Sequence, residues 1–230
     1  MASLQTRTRA KLDEVSASHW ETTQLRRWIF DGARDACRRA ECLRDSASFT
    51  AVAGTQEYSL TTGTFDDIIR IHRVTYQSVG ETEQYPLDYF DFFSQDSMSW
   101  ATPYRNRPTQ YATWGFPPSL TLVLYPNPSD AGTVNLYYYR LPNSDCLTDE
   151  TEVVEIPQVW EELCVDYAVY QAMLQDNDQR WQQYKSIYDE HLSDLIVTAI
   201  RFNDQAGMMN VGSGAGSMVP QWLWDAGWMD

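Results

Sequence analysis

The sequence lacks the groups of residues that metal sites and most catalytic sites need. Its three histidines have no histidine, cysteine or acidic neighbour at the spacing of metal ligands, and we expect His191 to be a hydrogen-bonded core or interface residue. The four cysteines form no CxxC pair and no dense framework, which favours a reducing compartment and free thiols. We therefore predict no catalytic residues, no metal and no cofactor.

Long apolar stretches are also missing. No run approaches the roughly 18 apolar residues that a membrane helix needs, and no apolar segment of a signal peptide follows Met1. The glycine-rich run GSGAGS (Gly212–Ser217) follows no strand and precedes no Lys-Ser or Lys-Thr pair, so we predict a linker and not a phosphate-binding loop. We expect a protein that does not contact membranes.

Lysine is nearly absent, since Lys11 and Lys185 are the only two. The formal net charge is −15, which argues against a protein that holds nucleic acid through many phosphate contacts. The charge is uneven, because residues 1–44 contain nine Arg or Lys against six Asp or Glu. Arginine dominates this basic end, and arginine is the better residue for bidentate pairing at interfaces.

Aromatic residues, in contrast, are abundant. They make up 13% of the chain, with nine tryptophans and fourteen tyrosines, and hydrophobic residues make up 43%. This composition supports a packed core and excludes global disorder. The surplus of aromatic area indicates a protein that also buries surface against partners.

Apolar residues recur at helical spacing near both ends of the chain. The pattern predicts a short helix over Ser3–Val15 and a longer helix over Thr22–Arg44. Two more helices are predicted towards the C-terminus, one of which has Pro157 at its first position. The second of these follows Asp176–Asp178, which lacks the glycine and the distal glutamate of a calcium loop and is predicted to be a turn between helices.

The apolar faces of these helices predict the core. Trp28 and Trp160 lie on such faces, and we expect both to be buried. The last helix is expected to bury a longer row of residues, namely Trp181, Tyr184, Tyr188, His191, Leu192, Leu195, Ala199 and Phe202.

Between Ser46 and about Pro142 the apolar period changes to two, which is typical of strands. The predicted strands are Gln56–Leu60, Ile68–Tyr76, Pro108–Trp114, Leu120–Tyr125 and Thr133–Arg140. The turn-rich segment YPNPSDAG (Tyr125–Gly132) predicts that the last two strands form a hairpin. The aromatic segment Leu87–Gln95 is predicted to be a short helix.

The order of these elements predicts an α+β fold. We expect a helical body, made of residues 1–45 and 155–206, in which the N-terminal helices pack against the two C-terminal helices. An antiparallel β module is inserted at residues 46–154. Residues 207–230 are expected to form an extended C-terminal tail.

Two sets of residues are candidates for partner contacts. On the polar face of the second helix, four arginines alternate with acidic residues and either pair within the helix or contact a partner: Arg27, Arg34, Arg38 and Arg39. In the tail, five large apolar residues lack the periodicity to fold alone and are predicted to be buried in the portal or a neighbouring subunit, the alternative being that they fold back on their own body: Trp222, Leu223, Trp224, Trp228 and Met229.

Six segments, in their order and approximate spacing, resemble the head–tail adaptor (connector) family of short-tailed and related bacteriophages. They lie within residues 19–204, roughly four-fifths of the chain, whereas the extension after Gly207 is not part of the family's common core. The segments are HWETTQLRRWIFDGARDACRRA (His19–Ala40), AVAGTQEYSLTTGTFDDIIRIHRVTY (Ala51–Tyr76), YPLDYFD (Tyr85–Asp91), RPTQYATWG (Arg107–Gly115), LTLVLYPNPSDAGTVNLYYYRLPN (Leu120–Asn143) and VVEIPQVWEELCVDYAVYQAMLQDND (Val153–Asp178).

The resemblance implies a structural protein of the virion without catalytic residues. It implies a ring, commonly of twelve subunits, that docks on the portal protein and joins it to a tail (nozzle or tube) protein. DNA would pass through the centre of the ring without specific binding. Such a protein is assembled in the host cytoplasm and ends at the head–tail interface of the virion.

Two other functions stay open at this point. A tail-tube-end or stopper protein would lie lower in the same channel. A carbohydrate-binding module, which is a different class of protein, would stack sugar rings on aromatic residues of the β module such as Trp100, Tyr104 and Trp114.

Overall fold

A computed structural model describes residues 1–14, 19–60, 65, 67–92, 105–117, 119–148 and 152–208. Helices lie at both ends of this part of the chain and strands lie between them. The helices are α1 (Ala2–Lys11), α2 (Thr22–Ala40), α3 (Glu161–Gln175) and α4 (Trp181–Met208). The strands are β1 (Arg44–Ala51), β2 (Glu57–Ser59), β3 (Ile68–Ser78), β4 (Tyr85–Tyr89), β5 (Arg105–Asn106), β6 (Gln110–Trp114), β7 (Thr121–Tyr125), β8 (Asn127–Pro128) and β9 (Gly132–Arg140).

Two helices are shorter than the sequence predicts. α2 ends at Ala40 and not at Arg44, because Glu41 adopts a left-handed conformation (φ 48°) and donates its backbone N–H to the carbonyl of Cys37 at 2.9 Å. The chain is then free to begin β1 at Arg44. α1 ends at Lys11, and Val15 lies outside the described residues.

The four helices share one apolar core. Small residues on α2 let α3 approach closely, and a Cβ atom added to Gly32 would lie 2.8 Å from the Cβ of Tyr167. Buried side chains from all four helices meet there, among them Leu4, Ile29, Ala33, Ala36, Leu163, Cys164, Ala168, Leu192 and Leu195. The predicted packing of the N-terminal helices against the C-terminal helices is therefore confirmed.

The larger residues predicted for this core lie nearer its edge. Trp28 and Trp160 are half-buried and pack against the core from outside, so the prediction that they are core residues is wrong. Phe202, which was expected to be buried on α4, is 67% exposed. Phe202 instead lines an open groove with Trp160 and Ala199.

Seven strands form one mixed sheet in the order β1-β9-β3-β4-β6-β7-β2, and β5 pairs with β8 separately. Within the seven-stranded sheet the pairing is antiparallel except between β4 and β6, which are parallel. The inner face carries its own apolar core, which includes Val74, Tyr76, Leu122, Leu124, Val134, Leu136 and Tyr138. The α+β class is confirmed, but the β module is not wholly antiparallel as predicted, because the pairs β4–β6 and β5–β8 are parallel.

The predicted hairpin between the strands at Leu120–Tyr125 and Thr133–Arg140 is wrong. β7 pairs with β6 and β2, whereas β9 pairs with β1 and β3. Both edges of each strand are therefore occupied by other partners. The turn-rich connection does not bring the two strands together, because its residues Asn127–Pro128 form β8 and pair with β5.

The predicted helix over Leu87–Gln95 is also wrong where the structure describes it. Tyr85–Tyr89 is the strand β4, which pairs with β3 and β6. Leu87 points into the sheet core while Asp88 and Tyr89 are exposed. Residues 93–95 lie outside the described part. The predicted division into a body of residues 1–45 and 155–206, an insert of 46–154 and a tail of 207–230 stays a prediction.

Candidate docking surfaces

The four predicted arginines lie on the exposed face of α2, opposite the helical core. Arg38 and Arg39 both pair with Asp35, at 2.9 and 3.0 Å, but remain 65% and 50% exposed. Oδ2 of Asp35, the oxygen that lies 3.0 Å from Arg39, also accepts a hydrogen bond from the hydroxyl of Tyr188 on α4 at 2.7 Å. Asp35 therefore fixes two arginines against the body while their guanidinium groups face solvent. The arginine face thus combines intrahelical pairs with exposed charge.

Arg140 joins the end of the sheet to the chain that leads back into the helices. Its guanidinium donates to both oxygens of Glu155, at 2.7 and 3.2 Å, and to the carbonyl of Leu141 at 3.1 Å. Its Nε lies 3.1 Å from Asp45, in ionic contact without hydrogen-bond alignment. The hydrogen bond from Arg140 holds the pKa of Glu155 below its usual value, since it outweighs the effect of burial.

A second charged cluster connects three helices. Asp166 on α3 is only 1% exposed and lies 2.6 Å from Lys11 of α1 and 2.8 Å from His191 of α4. Burial by itself would lower the pKa of Lys11, but hydrogen bonds with Asp166 and Glu162 outweigh it and raise that pKa. The prediction that His191 is hydrogen-bonded is confirmed, although its side chain is 39% exposed.

The outer face of the sheet carries an unexpected concentration of positive charge. Arg44 of β1 and Arg70 of β3 both lie over the ring of Tyr139, at 5.5 and 5.1 Å. Arg73 lies further along β3, where it lines a shallow surface cavity with Arg44 and His72. Burial and the three arginines lower the pKa of His72. We call Arg44, Arg70, His72 and Arg73 the basic face.

Arg44 also borders an apolar groove of about 260 Å³ between the end of α2 and the C-terminal turns of α4. Trp160, Leu195, Ala199 and Phe202 line this groove. Leu195 and Ala199 are buried, while the exposed ring of Phe202 forms one wall. The groove and the basic face are thus continuous through Arg44.

The Sγ atoms of Cys37 and Cys42 lie 3.6 Å apart, and their hydrogen bond lowers the pKa of the half-buried Cys42. All four cysteines are free, and three of them are buried. Burial raises the pKa of the fully buried Cys164 well above its usual value, which keeps the thiol protonated and unreactive. Among the described residues no three His, Cys, Asp or Glu side chains lie close enough together to bind a metal ion.

Most of the predicted aromatic contact residues lie outside the described part of the chain. Trp222, Leu223, Trp224, Trp228 and Met229 lie outside the described residues, as do Trp100 and Tyr104 of the alternative sugar site. Trp114, the third residue of that alternative, is 46% exposed and stacks on Phe92 with the ring centres 6.3 Å apart.

A profile of the SU10 adaptor protein family matches residues 1–212, which is most of the chain. The chain belongs to the SU10 adaptor protein family. This is a family of phage structural adaptors and not of enzymes. The predicted resemblance to phage adaptor proteins is therefore confirmed. No curated protein is similar enough to count as a match.

The family match covers a longer part of the chain than the six sequence segments do. It includes the first 18 residues, which the sequence segments did not cover, and it ends at Gly212, so the tryptophan-rich segment lies beyond it. An adaptor binds other head or tail components of the phage. None of the helices that the structure describes has both the length and the apolar character that crossing a bilayer requires.

Sequence reasoning missed the Arg140 cluster, the Asp166 cluster and the basic face of the adaptor. The members of each come from distant parts of the chain, and their proximity depends on strand pairing and helix packing. One local signal was available for the basic face, because Arg70 and Arg73 flank His72 within a predicted strand. Arg44 joins the basic face because Arg44 of β1 and Arg70 of β3 both lie opposite Tyr139 of β9.

Proposed function

We propose that this adaptor forms a ring between the portal and the tail of a bacteriophage, with DNA passing through its centre. The observation that carries the proposal is the family match over residues 1–212. A ring of about twelve identical subunits repeats each modest contact many times, which gives tight docking without a strong single contact. The adaptor would then act through assembly alone.

The charge of the adaptor supports a channel that DNA can slide through. At −15 per chain, twelve copies carry about −180 (12 × −15). Part of this charge must face the axis of a ring, and a wall of like charge repels the phosphate backbone. We therefore propose an acidic central channel without specific DNA contacts.

The exposed arginine face of α2 and the apolar residues of the tail are the proposed partner contacts. Arg27, Arg34, Arg38 and Arg39 present cations that suit carboxylates of the portal or of a neighbouring subunit. Trp222, Leu223, Trp224, Trp228 and Met229 carry the apolar area that a partner has to cover. A stopper or tail-tube-end protein would use the same contacts at a lower position in the channel.

Docking on the portal tests the proposal. The adaptor is mixed with the portal protein of the same phage and examined by sedimentation and negative-stain electron microscopy. We expect one added ring on the portal, and the Arg34→Glu/Arg38→Glu double variant should remain folded yet fail to add it. Arg180→Glu is the matched control, because Arg180 is 68% exposed and pairs only locally with Asp178. Absence of a ring with the unaltered chain would refute the function, and binding to an isolated tail protein would favour the stopper.

A further inference from the structure

The apolar groove has the size and chemistry of a site for a large side chain. Its volume of about 260 Å³ is below the roughly 300–1,000 Å³ of small-molecule sites. Phe202, 67% exposed, presents an aromatic wall to solvent beside the half-buried Trp160. Exposed aromatic area of this kind is typical of the anchor positions of protein interfaces. The groove therefore fits an aromatic side chain of a polypeptide.

The basic face adds a second requirement, because it borders the groove through Arg44. Arg70 is neutralised by Glu41, which accepts a hydrogen bond from its Nε at 3.0 Å. Asp45 lines the same cavity, but neither Arg44 nor Arg73 forms a salt bridge with a carboxylate in the described part of the chain. A suitable occupant thus carries acidic groups near its aromatic anchor.

One segment of this chain has that composition. The 13 residues Met218–Asp230 contain three tryptophans together with Asp225 and Asp230, and they contain no lysine or arginine. The linker-like Gly212–Ser217 precedes them. The fourteen residues that follow Met208, up to Trp222, can span up to about 46 Å when extended, at about 3.3 Å per residue. This reach allows the segment to cross to another subunit.

We propose that the groove and the basic face of each subunit receive the Met218–Asp230 segment of an adjacent copy. A tryptophan seats against Phe202, and Asp225 pairs with Arg44 or Arg73. This inference rests on the proposed ring, in which every subunit gives one segment and receives one, so that a closed head-to-tail contact leaves no groove empty.

Two observations favour this occupant over its competitors. α4 continues for six residues beyond Phe202, to Met208, which at 1.5 Å per residue carries the chain about 9 Å past its own groove. The point at which the segment is attached therefore lies beyond the groove of its own subunit. A DNA backbone would satisfy the arginines but leave the apolar groove unfilled, and a chain with a net charge of −15 repels it.

Photo-cross-linking in the complete chain tests the proposal. Leu223 is replaced by p-benzoyl-phenylalanine, which leaves the three tryptophans in place. Isotopically heavy and light copies are mixed in equal amounts, then irradiated both at high concentration alone and after assembly on the portal. We expect heavy–light cross-links to peptides that contain Phe202 or Trp160. Phe202→Asp and, separately, Arg44→Glu/Arg73→Glu should lower their yield about tenfold or more.

Val197→Asp and Arg180→Glu are the controls, since Val197 is also exposed on α4 but does not line the groove. Phe202→Ser repeats the test without added charge, and circular dichroism checks that each variant is folded. Cross-links confined to single copies, cross-links elsewhere, or yields unchanged in both groove variants would overturn the inference. Failure of the ring to form on the portal while heavy–light cross-links to the groove persist would instead count against the proposed function.

Discussion

Replacing Arg140 with methionine should lower the free energy of unfolding by about 2 kcal/mol. The substitution removes two hydrogen bonds to Glu155, one to the carbonyl of Leu141 and the ionic contact with Asp45. Hydrogen bonds to charged groups contribute roughly 1.5–3 kcal/mol each when they are buried. The full sum does not apply here, because the side chains of Glu155 and Asp45 are 38% and 48% exposed and water can replace part of what is lost.

Because methionine retains the apolar packing of the arginine side chain, the loss in the free energy of unfolding measures the contribution of the guanidinium group. It also leaves Asp45, Asp67 and Glu155 near one another without their cation, and burial already raises the pKa of Asp67. For a chain of 150–250 residues a loss of about 2 kcal/mol corresponds to a fall in Tm of roughly 4–8 °C. Arg180→Met is the matched control, since Arg180 is 68% exposed, and it should change stability by less than about 0.5 kcal/mol.

Thermal and urea unfolding, followed by far-ultraviolet circular dichroism and tryptophan fluorescence, measure the effect. A double-mutant cycle with Glu155→Gln should give a coupling energy of about 1 kcal/mol. Because Arg140 ties the sheet to the chain that re-enters the helices, the two signals should coincide in the native chain and separate in the variant. A loss below about 0.5 kcal/mol with no coupling to Glu155 would refute this assignment of Arg140.

Two further predictions concern the helical body. Gly32→Ala should destabilise the chain by about 1–3 kcal/mol, although alanine has the better helix propensity. The reason is that the added Cβ atom would lie 2.8 Å from the Cβ of Tyr167. An unchanged Tm would show that α2 and α3 can separate without cost. Hydrogen bonds from Lys11 and Arg7 outweigh burial and lower the pKa of Glu162, whose ordinary value is 4.5. The contribution of Glu162 to the free energy of unfolding is therefore complete above pH 4.5 and is lost as the pH falls through its lower pKa in the folded chain. Glu162→Gln should make the free energy of unfolding depend less steeply on pH in acid. Urea titrations at several pH values measure this dependence, and an unchanged slope would contradict the prediction.

The helices could be predicted from the sequence because their information is local. Apolar residues three and four positions apart define one face of α2, and that face is buried as expected except at Trp28. The errors occur where periodicity gives no information, namely at helix ends and on long helices. Glu41 ends α2 through its left-handed backbone, and Phe202 keeps the spacing of a buried residue although nothing described covers it.

Strand partners were not predictable in the same way. The alternation in β7 and β9 shows that each strand has a buried face, but it does not say which strands adjoin it. Turn-forming residues between two strands permit a hairpin without requiring one, and here both strands pair with others. The basic face could not be predicted for the same reason. Arg44 and Arg70 come together only because β1 and β3 each pair with β9.

The positions of the arginines divide the charge of this adaptor into two roles. Arg140 is only 18% exposed and is enclosed by carboxylates of its own chain, so its charge stabilises the fold. Arg44 and Arg73 have no such carboxylate in the described residues, and Arg38 holds its charge in solvent although Asp35 fixes it. In a chain with only 17 basic residues against 32 acidic ones, intramolecular partners are plentiful, so arginines left without them do not reflect a shortage of carboxylates. We propose that these arginines dock against acidic partner surfaces, in which case added salt would weaken assembly through Arg38, Arg44 and Arg73 more than it weakens the fold held by Arg140.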